Sequence, residues 1–254
     1  MNKNILSIKD LKLTYHTLKN ETLAVTDFNL DIKNEEFVSL VGPSGCGKTT
    51  VLSMIAGLIK PSGGKIIFDS HEVVGINTDI GYMFQRDNLF EWISVYENLV
   101  FALKIQKKLN ENTKAFVLDL AEKYGLKDFL SHYPNQLSGG MRQRVSLIRT
   151  LATDPKLLLL DEPFSALDYQ TRINVQDIVH DIIKREKKSA ILVTHDISEA
   201  ITMSNRVVVM TKRPGTIKSE KIIDFGDCDR PFLRRSQPNF QEYFNYIWGE
   251  MKDD

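Results

Sequence analysis

Apolar residues along this chain follow two periods, and the switch between them divides it. Over residues 8–15, Leu11, Leu13 and Tyr15 alternate with Lys12 and Thr14, which predicts a half-buried antiparallel strand with residues 25–32 as its partner. Phe37-Val38-Ser39-Leu40-Val41 is a nearly continuous apolar run, as expected of a strand covered on both faces in a parallel sheet. Val51, Leu52, Ile55 and Leu58 then recur at helical spacing, with Gly57 and Pro61 as stop signals. Residues 66–68 and 80–84 read as further short strands. From Arg86 to Thr153 the helical period dominates, with Phe116, Leu120 and Tyr124 on one stripe before Gly125, and Met141, Val145, Ile148 and Ala152 on another. After Pro155 strands return at residues 157–160, 190–194 and 206–210. A helix lies between the first two, carrying Val175, Ile178, Val179, Ile182 and Ile183 on one face. This alternation predicts a parallel α/β core from residues 1–85 and 154–225, an N-terminal antiparallel β region and an inserted α-helical subdomain at 86–153. In the tail, 226–254, Phe240, Tyr243, Phe244, Ile247, Trp248 and Met251 mark an amphipathic helix after Pro238, expected to pack on the chain's own core.

Composition narrows the class without deciding it. The 254 residues are 42% hydrophobic and 26% charged, enough for one large domain with a lobe. Thirty-three basic and thirty-three acidic residues cancel, so no overall field recruits nucleic acid or an anionic membrane, and no nucleic-acid partner is expected. The basic run from Lys184 to Lys188 closes an apparent helix, where cations complement the dipole. Cys46 and Cys228 are the only thiols, which fits a reducing compartment better than a disulfide framework. No apolar stretch approaches the ~18 residues of a membrane span. Met1-Asn2-Lys3-Asn4 lacks a signal peptide's apolar core, so the chain is expected in the cytosol unless a partner holds it at a membrane.

Two glycine-rich runs supply the chemistry. Gly42, Pro43, Ser44, Gly45, Cys46, Gly47, Lys48 and Thr49, followed by Thr50, match G-x-x-x-x-G-K-[ST] between a predicted strand and helix. In such a loop successive N–H groups wrap the phosphates of a nucleotide, the lysine neutralises them and the hydroxyl meets Mg²⁺. Leu137-Ser138-Gly139-Gly140 opens a second helix without a lysine, and its positive end also suits phosphate. Cys46 is expected to contribute mainly its backbone N–H, although a thiol beside those amides also suits redox sensitivity.

The strand ends add acids and an imidazole. Asp161 and Glu162 follow the run 157–160, and alternation along a strand aims neighbours differently, so the two carboxylates take separate tasks. Asp161 is assigned to Mg²⁺ with Thr49, and Glu162 to the water that attacks the γ-phosphate. Ser165-Ala166-Leu167-Asp168 follows. His195, at the end of the next strand, sits on the carboxyl edge where parallel sheets bind ligands, placed to donate to phosphate or orient water. Gln85 ends the strand before the helical lobe, where a neutral amide reaches both Mg²⁺ and the attacking water. One lysine-bearing loop, one base and one additional phosphate-seeking helix end fit a composite site shared by two chains.

Over at least residues 5–225 the chain resembles the ATP-binding subunit of an ABC transporter, with every expected motif in order. The resemblance implies a P-loop NTPase (RecA-like) core, ATP and Mg²⁺ as ligands, and Tyr15 stacked on adenine. It also implies a head-to-tail dimer with a second copy, in which Ser138, Gly139 and Gly140 cap the γ-phosphate held by the partner's loop. Met141, the Phe84-Gln85 segment running into Leu89-Phe90-Glu91-Trp92, and Arg213-Pro214-Gly215 are similar to the nitrate, sulfonate and taurine importer group. That group shows Leu-Pro-Trp where Glu91 stands here. The implied role is to power uptake of a small solute of the nitrate, sulfonate or taurine kind, or of the thiamine-precursor or riboflavin kind. A membrane permease would dock on residues 86–98 through Phe90 and Trp92 at the cytoplasmic face, the alternative being that these two aromatics pack within the lobe, and an extracytoplasmic solute-binding protein would be an indirect partner. The alternative is the ATPase of an exporter or of a lipid- or lipoprotein-extraction complex.

Overall fold

The computed structural model describes residues 4–16 and 20–252, so the N-terminal residues Met1 to Lys3 named above lie outside the described part. Two sheets carry the fold. Strands β1 (Asn4–His16) and β2 (Glu21–Lys33) pair antiparallel, and β4 (Gly63–Phe68) and the two-residue β5 (His71–Glu72) complete a four-stranded sheet in the order β2-β1-β4-β5. The other sheet has six strands: β3 (Phe37–Val41), β6 (Ile80–Met83), β7 (Leu157–Asp161), β8 (Ser189–Val193), β9 (Arg206–Met210) and β10 (Ile217–Ile222). Its order is β10-β9-β3-β8-β7-β6, parallel throughout except for β10.

The unbroken leucines of β7 serve two cores at once. Leu157 and Leu159 join a cluster with α1 (Lys48–Ile55) and the inner face of the antiparallel sheet, while Leu158 and Leu160 turn to the helices on the opposite face. Burial on both sides explains why no polar residue alternates here. The helical face comprises α2 (Val95–Ile105), α3 (Glu111–Lys123), α4 (Gly139–Leu151) and α5 (Tyr169–Arg185). Side chains set where each begins. Ser94 and Glu97 form a capping box on α2, Asn110 caps α3, Ser138 accepts from Met141 N–H on α4, and Asp168 accepts from Thr171 N–H on α5.

A third cluster joins α6 (Ile197–Met203), β9 and α8 (Phe240–Lys252), preceded by the short α7 (Pro231–Arg234). Ile247 is fully buried there, and Phe240, Tyr243, Phe244 and Met251 pack around it, so the tail helix does cover the chain's own core. Three expectations change. Trp248 is 53% exposed, stacked on Phe244 rather than facing inward. Helix α1 ends at Ile55, so Leu58 falls beyond Gly57, whose φ of 72° ends the helical path, and is exposed. Phe84 leaves β6 and lies exposed. Among the described residues no helix is long and apolar enough to cross a membrane.

Candidate nucleotide site

The carboxyl ends of β3, β6, β7 and β8 lie side by side, and the segments leaving them meet at one cavity of ≈ 520 Å³. Ser44, Gly45, Gly47, Lys48, Thr49 and Thr50 line one side of it, Gln85, Glu162 and His195 another, and Tyr15 and Arg213 its mouth. Gly47, with φ 108°, turns the loop into α1 in a conformation that L side chains rarely adopt, and a Cβ there would stand 3.0 Å from Val25 Cγ2. The Lys48 ammonium folds back across its own loop, donating to the carbonyls of Gly42 (2.7 Å) and Pro43 (2.9 Å). Gly42, Pro43 and the buried Cys46 thus form the underside of the cradle rather than its lining.

Asp161 sits behind Thr49. Its Oδ1 accepts from the Thr49 hydroxyl at 3.1 Å and its Oδ2 from the Tyr82 hydroxyl at 3.2 Å. Burial pushes the Asp161 carboxyl up, with Glu162 adding to it, against the hydrogen bonds of Thr49 and Tyr82 and the charge of Lys48. A cation bound beside Thr49 would relieve that cost. Burial likewise pushes the Tyr82 phenol up, so it stays a donor.

Glu162 occupies the left-handed region at φ 46°, which costs a non-glycine residue about 1–2 kcal/mol. The bond from its N–H to Val193 O (2.8 Å) ties it to β8. Its carboxylate lines the cavity. Glu162 Oε2 accepts from Gln85 Nε2 at 3.2 Å and lies 3.2 Å from His195 Nδ1. The Gln85 amide and the His195 imidazole, from two other strand ends, therefore converge on one carboxylate oxygen of Glu162. At the mouth the Tyr15 hydroxyl lies 3.3 Å from Thr50 Oγ1, its ring 41% exposed.

Ser138, Gly139 and Gly140 belong neither to the lining of this cavity nor to the loop and strand end beneath it. They form the start of α4, with Ser138 and Gly139 exposed. Gln143 on the same helix donates to the carbonyl of Pro163, linking α4 to the loop that holds Glu162. Phe90 is half-buried between Trp92 and Phe101 and is not an exposed contact, whereas Trp92 is 75% exposed.

Several supporting contacts have no signal in the sequence, although the Arg213-Pro214-Gly215 corner itself does by resemblance. Arg213 donates twice to Gly45 O, at 3.0 and 3.2 Å, across 168 residues. Gly215 passes so close beneath the loop that a Cβ would fall 2.0 Å from Cys46 O. Its N–H and C=O bond to Ala24 and Thr26, tying the turn between β9 and β10 to β2. The fully buried Asn98 holds the Phe90 backbone by both N–H (2.9 Å) and C=O (3.1 Å).

A strand-loop-helix phosphate cradle with paired acids and an imidazole on the carboxyl edge of a parallel sheet defines a P-loop nucleotide hydrolase. The family profile described as ABC transporter matches residues 25–165, and the chain belongs to the ATP-binding proteins of that family. It is their ATP-hydrolysing component. Similar proteins include the uncharacterised ABC transporter ATP-binding protein YtlC of Bacillus subtilis, 46% identical over 98% of this chain and 96% of that one. The nitrate import ATP-binding protein NrtD of Synechocystis sp. is 40% identical (95% and 93% covered), and the taurine import ATP-binding protein TauB of Jannaschia sp. 41% (98% and 94%). Among solved structures, the ATP-binding cassette MJ0796, described as a dimer in a post-hydrolysis state bound to ADP and Pi, matches with TM-score 0.72 at 31% identity. That match covers 87% of this chain and all of the other.

Proposed function

We propose that two copies of this chain close head to tail on ATP and use its hydrolysis to drive uptake of a small solute through a membrane permease. One observation carries this reading. The lysine loop, Gln85, Glu162 and His195 meet at one cavity with Asp161 behind Thr49, whereas the Ser138-Gly139-Gly140 turn lies outside it at a separate helix end, with Ser138 and Gly139 exposed. A second copy supplies that helix end to the γ-phosphate, and the dimeric MJ0796 cassette supports such an assembly. Charge-assisted hydrogen bonds of roughly 1.5–3 kcal/mol each let the γ-phosphate decide whether the dimer stays closed.

Within the site, Lys48 exchanges the Gly42 and Pro43 carbonyls for phosphate oxygens, and Tyr15 offers its ring to adenine. Thr49 and Asp161 are hard oxygen donors 3.1 Å apart, and among the described residues no group of three or more His, Cys, Asp or Glu gathers to hold a metal. That pair suits Mg²⁺, which takes few protein oxygens and keeps phosphate and water as its other ligands; Gln85 is the further candidate. When bound, Mg²⁺ neutralises charge on the phosphate oxygens. Glu162 accepts the proton of the attacking water, Gln85 orients that water, and His195 donates to the γ-phosphate.

Similarity to nitrate and taurine import proteins over nearly the whole chain supports import rather than export. Trp92, exposed beside the anchored Phe90, is the contact offered to the permease at the cytoplasmic face of the membrane. An extracytoplasmic solute-binding protein delivers the solute. Glu162→Gln tests the assignment of the base: ATP binding should persist while turnover falls about 100-fold or more. Undiminished turnover removes Glu162 from that role.

A further inference from the structure

A buried polar relay runs from the C-terminal segment to the turn that carries His195. The Thr194 hydroxyl donates to Glu199 Oε2 and accepts the Asp196 N–H at 3.0 Å, so it grips the backbone on both sides of His195. Glu199 Oε1 accepts from Gln176 Nε2 at 3.1 Å, and Gln176 Oε1 accepts from Arg235 Nη2 at 3.2 Å. Thr194, Gln176 and Glu199 are all nearly inaccessible, at 1%, 1% and 4% exposure. Every donor in this chain points toward the Glu199 carboxylate. A buried acid matched by two donors is costly to disturb, because any replacement leaves one of them without an acceptor.

The far end of the relay is fixed as firmly. Asp177 accepts from Arg230 Nη2 at 3.0 Å and from the Phe232 N–H at 2.8 Å, which fastens α7 to α5. Arg234 reaches Thr202 O on α6 and Cys228 O, both at 2.9 Å. Arg235 is therefore held at Gln176 by a segment bolted to both helices that flank the relay. None of these residues lines the nucleotide cavity.

We propose that Glu199 is a positioning residue for ATP hydrolysis: with Gln176 and Arg235 it fixes the turn 194–196, and so holds His195 against Glu162. The C-terminal segment thereby belongs to the hydrolytic apparatus although it touches no nucleotide. The proposal rests on the role given to His195 above.

The test uses the full chain and two readouts, hydrogen exchange of the peptide 192–200 and ATP turnover. In Glu199→Gln the new amide meets a donor where the carboxylate accepted one, and exchange at Asp196 should rise about tenfold. Turnover should fall about tenfold as His195 loses its position, while ATP affinity changes less than about twofold because the phosphate loop is untouched. The swap Gln176→Glu with Glu199→Gln restores the match: the amide now at position 199 accepts from Thr194 and donates to the carboxylate now at position 176, which still receives Arg235. Both readouts should return to within about twofold of the parent. Exchange at the parent rate in Glu199→Gln, or a swap that recovers neither readout, overturns the proposal. A parallel His195→Ala chain separates the two ideas. If it hydrolyses ATP normally, the role of His195 fails, whereas the exchange data still decide whether Glu199 holds the turn.

Discussion

Replacing Arg142 by Met should loosen the joint between the segment that follows Gln85 and the helix that begins at Ser138. The Arg142 guanidinium meets Asp87 through two bonds, Nε to Oδ2 at 2.7 Å and Nη2 to Oδ1 at 3.1 Å, and reaches Glu91 Oε1 at 2.6 Å. The two carboxylates are not equivalent. Asp87 and Arg142 have side chains only 21% and 22% exposed, whereas Glu91 is 51% exposed and shares its partner with water. Burial pushes the Asp87 carboxyl up, but the hydrogen bonds from Arg142 and the Leu89 N–H, with the charges of Arg142 and Arg149, leave it below its usual value. Hydrogen bonds to charged groups contribute about 1.5–3 kcal/mol, and stranding a half-buried Asp87 adds to the loss, so Arg142→Met should cost about 2–4 kcal/mol. Glu91→Gln should cost less than about 1 kcal/mol, as exposed pairs do. For a chain of this size each kcal/mol moves the midpoint by about 2–4 °C, so calorimetry should show a drop of about 4–16 °C for Arg142→Met against less than about 4 °C for Glu91→Gln. Equal shifts in the two variants, or no shift in Arg142→Met, would show that the Asp87–Arg142 pair does not hold this joint.

Two further outcomes follow from contacts outside the motifs. Gly215→Ala places a methyl group 2.0 Å from Cys46 O, so the loop beneath the phosphates must move; ATP affinity should fall about tenfold or more by fluorescent-nucleotide titration, and parental affinity would show that the corner does not support the loop. His180 is pushed down to about 4 by burial and by the charges of Arg234 and Lys184, while its unfolded form titrates near 6.5. Its folded value is the lower, so below about pH 6.5 the unfolded chain binds the extra proton and stability falls as pH drops toward 4. His180→Gln should therefore lose less stability than the parent between pH 6.5 and 4.5 in urea titrations, and identical losses would place the acid sensitivity elsewhere.

Much of the site was legible because its chemistry is local in sequence. A loop must bring glycines, lysine and a hydroxyl together within eight positions to wrap phosphate, and acids at strand ends announce themselves after an apolar run. The two faces of the parallel sheet were legible for a similar reason, since strands covered on both sides leave no polar alternation. What escaped the sequence acts across the fold. Arg142 reads as an ordinary cation on a helix, and only the folded chain shows Asp87 and Glu91 sharing it. Arg213 supports Gly45 from a distant corner, and Asn98 anchors Phe90 through backbone groups that no side-chain pattern encodes. Trp248 lies at the edge of the tail helix's apolar stripe and Ile247 at its buried centre, a distinction that helical spacing alone does not carry. Leu58 keeps the helical spacing but lies beyond Gly57, where the helix has already ended.

If ATP is held between the lysine loop of one copy and the Ser138 turn of another, the chain must pair when ATP is bound and hydrolysis is blocked. Sedimentation of Glu162→Gln gives the most direct measurement: with saturating ATP the 29.1 kDa chain should sediment at twice its mass, with ADP as a single copy. Adding Ser138→Arg should abolish the dimer while leaving ATP bound. A single-copy species with ATP demonstrably bound, or a dimer indifferent to Ser138→Arg, contradicts the account.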